Sequence, residues 1–253
     1  MNNNTFGPRS VEPSSWQRWS KEALHLSGKY LALNVCLVLA TVGLLSPFTP
    51  MLLLIVSPVL VGVFVLIAHS AAPSEPVLAT LKHASSGLLR ILLCSTTAVV
   101  TMLIAFLIIA LLIKASSFGA SASSATYMPQ EYQLSDFLAG SKALFAICFW
   151  LLAILPWFAI PLMVCTNLSL QMCLDNTFQA FNQNKFVVIV VFLSALLMLG
   201  GALFHGLTVV PLFPILGALM YAAYRHIFMG MPPLETSEAK SKASVFDRLL
   251  QPK

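Results

Sequence analysis

Residues 30–74, 91–113, 143–174 and 186–224 contain no Asp, Glu, Lys or Arg. These gaps are 45, 23, 32 and 39 residues long. A helix crossing a hydrocarbon core about 30 Å thick needs roughly 20 apolar residues, so the gaps hold two, one, one and two crossings. The expected spans are about 30–46, 51–69, 89–113, 143–165, 186–204 and 209–228. A membrane β-strand would alternate polar with apolar residues, whereas Met102–Ile113 and Phe186–Leu193 are apolar on every face. The predicted fold class is therefore all-α, a polytopic bundle of six transmembrane helices.

Polar periodicity supplies the remaining elements. Residues 1–13 show none and read as disordered. From Ser14 to Ser27, Trp16, Trp19, Ala23 and Leu26 recur at helical spacing, with Arg18, Lys21, Glu22 and His25 largely on the other side. This predicts an interfacial helix with both indoles at headgroup level. Val77, Leu78, Leu81 and Leu88 suggest a second before span 3, and Leu174, Phe178 and Phe181 an amphipathic segment up to Asn184. In span 1, Ala32, Cys36 and Ala40 form a stripe of small residues that lets another helix approach closely. Span 3 carries Thr97, Thr101 and Ala105 on one face.

Turns and breaks follow the prolines. Pro47 to Pro50 and His205-Gly206 form short outer turns, and Pro58 is expected to kink span 2. Lys114 to Lys142 reads as the one long loop. Span 4 outlasts a simple crossing, and Pro156 and Pro161 interrupt its hydrogen-bond ladder, so a tilted, kinked helix running on toward Asp175 is expected. The chain divides into an amino-terminal segment (1–29), a membrane domain (30–229) and a tail (230–253), whose Val245, Phe246, Leu249 and Leu250 suit a short amphipathic turn.

Charge orients the bundle. With the amino terminus, loop 2/3, loop 4/5 and the tail on one side, that side holds 12 of the 14 Lys and Arg residues, leaving Lys114 and Lys142 opposite. Both termini are thus expected in the cytoplasm. The net charge of +5 then lies on that face and favours anionic lipid headgroups. The basic residues are scattered at span-flanking positions, which argues against nucleic acid as a partner. At 58% apolar and 9% charged, the composition suits lipid rather than water as solvent.

Candidate chemistry is sparse. His25, His69, His83, His205 and His226 are isolated, without the spacing that converges ligands on a metal, and a proton relay through His69 or His83 is a minor alternative. Cys36, Cys94, Cys148, Cys165 and Cys173 contain no CxxC pair and read as packing residues. No nucleophile elbow, phosphate-binding loop or buried carboxylate pair occurs, so neither catalytic residue nor cofactor nor metal is expected. Arg90 and Arg225 are placed as interfacial anchors with Trp16 and Trp19. Asn34 and Asn167 are candidates for buried interhelical hydrogen bonds. The best candidate for a cavity wall is the proline-broken part of span 4, with Pro156, Trp157, Pro161 and, farther on, Asn167.

The ending Tyr221-Ala222-Ala223-Tyr224-Arg225-His226-Ile227-Phe228, behind Pro211 and Pro214, resembles an uncharacterised proteobacterial family of six-span inner-membrane proteins. Trp16, Trp19, the Pro47–Pro50 turn and Asn184 are similar too, so the resemblance covers residues 16–228. That family carries an acidic residue where this chain has His226, and no role passes to that position. The architecture is also similar to the membrane domain of some glycerophosphodiester phosphodiesterases; their catalytic barrel has no counterpart here, and their activity is not carried over. The resemblance implies six helices, a bacterial inner membrane and no assigned activity. The expected function is a non-enzymatic protein that binds another membrane protein or organises lipid. The alternative is a small transporter or channel for an apolar or zwitterionic solute, with its site at the span 4 kink.

Overall fold

The computed structural model describes residues 7–45, 50–72, 76–121, 157–166, 168–204 and 209–231. All regular structure among them is helical: α1 (Ser15–Lys29), α2 (Leu31–Leu45), α3 (Pro50–Ala71), α4 (Val77–His83), α5 (Ser85–Ser121), α6 (Ala159–Cys165), α7 (Leu170–Gln183), α8 (Lys185–Phe204) and α9 (Val209–Phe228). Outside the described residues lie positions 46–49 of the first outer turn, most of the long loop, residues 143–156 of span 4, Cys148, the His205-Gly206 turn and the tail from Pro232. Within them, the stretch Ser85–Ala105 is long and apolar enough to cross a membrane. The bent pair α1–α2 passes that test only if its two arms are taken together.

Helices α3 and α9 form the centre, and small residues let the backbones meet. A Cβ on Gly217 of α9 would lie 2.5 Å from Phe64 Cβ and 3.2 Å from the Val61 carbonyl. Gly87 in the first turn of α5 similarly lies against the Met163 backbone of α6. Helix α3 passes unbroken through Pro58. Nearby, Ser95 Oγ of α5 donates to the Ile55 carbonyl at 2.8 Å, an additional tie between these helices.

The core is concentrated at one end. It comprises the last turns of α3, the last turns of α9, all of α6, the inner faces of α1 and α7, and the first turns of α5 and α8. Away from that end, α5 and α8 expose Ile104, Leu107 and Ile108, and Ile189, Leu193 and Leu197. Long-range bonds gather the amino-terminal segment, the α3–α4 junction, the α6–α7 linker and both ends of the 184–227 stretch at the packed end. Lys29 Nζ donates to the Ala71 carbonyl at 3.0 Å, Arg90 Nη1 to the Leu168 carbonyl at 3.0 Å, and the Arg9 amide to the Ile227 carbonyl at 2.9 Å. These are the segments that the charge pattern assigned to one side.

Helix α1 ends at Tyr30, whose backbone leaves the helical region, and α2 departs at 83°. Asn34 Nδ2 spans the corner and donates to the Ser27 carbonyl at 3.0 Å, which satisfies an acceptor that the bend frees. Asn34 therefore makes an interhelical bond of the expected kind.

Several local expectations differ from the structure. Helix α5 continues past Ile113 to Ser121, so the first residues of the expected loop are helical although their Ser and Gly are weak helix formers. The chain after Pro156 is not one long kinked helix. Pro161 sits in the first turn of α6, where its missing N–H costs no helical bond. The break falls later, at extended Thr166, and Ser169 restarts the chain as the N-cap of α7, its Oγ accepting from the Met172 amide at 3.3 Å. In α2, Ala32, Cys36 and Ala40 face outward, while Asn34 and Val38 face the bundle.

Candidate functional site

The principal cluster of buried polar groups lies where α1 crosses α9. On α1 the inward face is Ser15, Trp19, Glu22, Ala23, Leu26 and Ser27, a stripe fixed by the 3.6-residue period. Glu22 thus belongs with the apolar residues, not on the polar side expected from the sequence. Its carboxylate meets the Arg225 guanidinium at 3.3 Å, with 1% and 8% of the two side chains exposed. Removing two charges from water is costly, and their mutual attraction in the interior works against that cost. Tyr221 lies one turn before Arg225 on α9. The Tyr221 hydroxyl in turn lies 3.1 Å from His69 Nδ1 at the end of α3.

A second contact secures the same helix. Trp19 Nε1 donates to His226 Nδ1 at 3.0 Å, which places the proton of the neutral imidazole on Nε2. The indole stacks on Phe186 of α8, with centroids 5.8 Å apart, and meets the His226 ring edge-on. Trp19 is therefore buried, whereas Trp16 remains 45% exposed. Only one of the two expected indole anchors is available to a surface. Arg225 likewise departs from its expected place: it is paired inside the protein rather than extended to an interface, because Glu22 supplies the opposite charge that a lone arginine would seek in water.

The segment before α1 closes over this cluster. Asn184, the C-cap of α7, is buried; its Oδ1 accepts from the Val11 amide at 2.8 Å and its Nδ2 donates to the Arg9 carbonyl at 3.0 Å. The Arg9 guanidinium packs on Gly230, whose positive φ of 65° suits glycine. Residues 7–11, read as disordered from composition, are held by backbone bonds that a polar sequence can make without burying apolar area.

Of the residues proposed for a cavity wall, Trp157 and Pro161 are buried, while Pro156 and Asn167 lie outside the described residues. Trp157 Nε1 is buried and, among the described residues, meets no acceptor within hydrogen-bonding distance. Arg90 is exposed and ties the α6–α7 linker to α5, so it does keep a surface position. Cys173, on the inner face of α7, has its thiol pushed up to about 11 by burial, with the Arg90 cation pulling partly back.

Glu22, His226, Tyr221 and His69 were not singled out together by sequence. The available signal was a carboxylate three residues after Trp19 and four before Leu26, in register with an apolar stripe. Among the described residues, no three of His, Cys, Asp and Glu gather to hold a metal ion. The cluster can hold α1 in place and fix a tautomer. Comparisons with protein-family models, curated proteins and solved structures find no match to this chain.

Proposed function

We propose that the protein is a six-span, multi-pass bacterial inner-membrane protein with both termini in the cytoplasm. In this reading it acts without catalysis, binding another membrane protein or organising lipid through its packed cytoplasmic end. The observation that carries the reading is the division of the surface. The stretch Ser85–Ala105 of α5 is long and apolar enough to cross a membrane, yet only 11% of it is buried, and α8 exposes a row of apolar side chains. Contiguous apolar surface of this kind suits hydrocarbon and not water. Helices α3, α8 and α9, of 22, 20 and 20 residues, match a core about 30 Å thick at about 1.5 Å per residue. The segments gathered at the packed end carry most of the basic residues, as a cytoplasmic face requires.

Affinity capture from native membranes, with mass spectrometry of co-purifying protein and lipid, tests the reading. The protein is expected to resist alkaline carbonate extraction and to bring down an enriched membrane protein or lipid class. A carbonate-soluble chain would remove the membrane assignment. A monodisperse, solitary chain with no enriched lipid after mild crosslinking would remove the binding role.

A second reading, a small transporter or channel for an apolar or zwitterionic solute, is favoured by Trp157. A buried indole N–H without an acceptor is costly, and a solute carboxylate or carbonyl at the start of α6 would satisfy it. Solute-dependent quenching of tryptophan fluorescence that disappears in Trp157→Phe would support this reading. Unchanged fluorescence across zwitterionic solutes would count against it.

A further inference from the structure

We infer that the outward face of α1 is a docking surface for anionic phospholipid headgroups, an assignment that rests on the membrane reading above and names the partner of its packed end. If α2 is a span, the 83° corner at Tyr30 lays α1 close to the plane of the membrane surface. The helix then has three distinct sides. The buried side holds it to α9 and α3. Next around the helix comes the strip Trp16, Ser20 and Leu24, spaced four residues apart, with Trp16 45% and Leu24 58% exposed. Beyond that strip lie Lys21, His25 and Arg18, all exposed, and Lys29 follows in the last turn.

The ion pair with Arg225 gives this face its charge. In sequence α1 mixes acid and base, but its single carboxylate, Glu22, is turned inward and neutralised within the protein. The outward side therefore carries Arg18 and Lys21 with no acidic residue among them, while Lys29 at the end of the helix is tied to the Ala71 carbonyl at 3.0 Å. Glu12, exposed in the preceding segment, is the carboxylate next in sequence before α1 and accepts from Ser14 Oγ at 3.3 Å. An apolar strip beside a cationic one, on a helix lying in the surface plane, is the arrangement that places an indole and a leucine among acyl chains and cations among phosphates.

The test places the full-length protein in phosphatidylcholine nanodiscs containing a minor fraction of phosphatidylglycerol, and measures the lipid retained on the released protein by native mass spectrometry. Phosphatidylglycerol is expected to be retained in preference to phosphatidylcholine. Each basic residue near an anionic surface contributes about fivefold, so Arg18→Gln with Lys21→Gln should lower the preference about 25-fold. Slow amide exchange across residues 19–27 in that variant shows that α1 stays docked. If the pair loosens the helix, the two single variants decide the matter, each expected at about fivefold.

Equal retention of the two lipids by the unaltered, carbonate-resistant protein overturns the headgroup site and leaves the membrane reading standing. A preference that survives both substitutions on a docked helix overturns it too. Competition by soluble glycerol phosphate at matched ionic strength would reassign the surface to a free phosphate. Release of the protein by carbonate removes the membrane reading and this inference together.

Discussion

Glu22 of α1 and Arg225 of α9 lie 203 positions apart in the chain and meet at 3.3 Å inside the protein. Their pairing turns an amphipathic helix into an integral part of the bundle. Removing either partner leaves the other charge buried, which costs about 3–5 kcal/mol, more than the pair itself contributes. Glu22→Ala is therefore expected to lower the thermal midpoint in detergent sharply. Adding Arg225→Met should recover much of the loss, as a double-mutant cycle would show. Equal and additive losses would mean that the two groups do not act as a pair.

The two tryptophans of α1 should behave differently. Trp19→Phe keeps a ring against Phe186 but loses the N–H donated to His226, a loss of about 1 kcal/mol. Trp19→Ala also opens a cavity and should cost about 3–5 kcal/mol. Trp16→Phe, on the exposed side, is expected to stay within about 0.5 kcal/mol of the parent. Thermal unfolding of the three variants checks the order, and a destabilising Trp16→Phe would contradict the outward placement of that indole.

Much of this arrangement was legible before the structure. The apolar runs foretold helices, the spacing of Trp16 to Leu26 foretold α1, and the charge asymmetry foretold which segments would gather at one end. What sequence left open was the partner of each face. Periodicity marks a helix as amphipathic without saying whether its apolar side meets lipid or protein, so Trp19 and Trp16 looked equivalent. Proline marks a boundary without saying which side of it is helical, so Pro161 looked like a break when it opens α6. The Ala32, Cys36 and Ala40 stripe suits close approach by another helix, and among the described residues that face of α2 is exposed. Long-range pairs such as Glu22 with Arg225 and Val11 with Asn184 carry no local signature at all.

Glycine positions separate close approach from open space. A methyl group at Gly217 would collide with Phe64, and overpacking of this kind costs about 1–3 kcal/mol, so Gly217→Ala should destabilise the α3–α9 contact. At Gly43 nothing among the described residues lies within 4 Å of the place a Cβ would take, and alanine in a helix is favoured over glycine by about 0.5–1 kcal/mol. Gly43→Ala is thus expected to be neutral or stabilising. Thermal midpoints of the two variants should move in opposite directions or differ by at least the overpacking cost; equal shifts would contradict the packing at Gly217.

Cys173 offers a chemical probe of the α7 contact. Its thiol is fully buried and pushed up to about 11, so at pH 8 only about one molecule in a thousand carries the thiolate that alkylating reagents attack. Because the folded value is raised, the neutral form is favoured in the native protein; the associated stability is present below the ordinary thiol range and falls as pH rises through it. Alkylation of Cys173 at pH 8 should be slow in the native protein and fast after denaturation, with native stability declining at strongly alkaline pH. Rapid native labelling, followed by peptide mass spectrometry, would show that α7 does not cover this residue.

Reporter fusions test the arrangement of the ends. The Arg9 amide bonds the Ile227 carbonyl, and Asn184 binds the same amino-terminal segment through both of its amide atoms. Residues 9 and 227 therefore lie at the same end of the bundle. In the proposed orientation, the bias of 12 basic residues to two puts both termini in the cytoplasm. A reporter that fluoresces only in the cytoplasm should be bright when fused before Met1 and when fused after Lys253. Opposite results at the two ends would contradict the strap formed by residues 7–11, whereas two dark fusions of well-expressed protein would leave the strap intact and reverse the orientation drawn from charge.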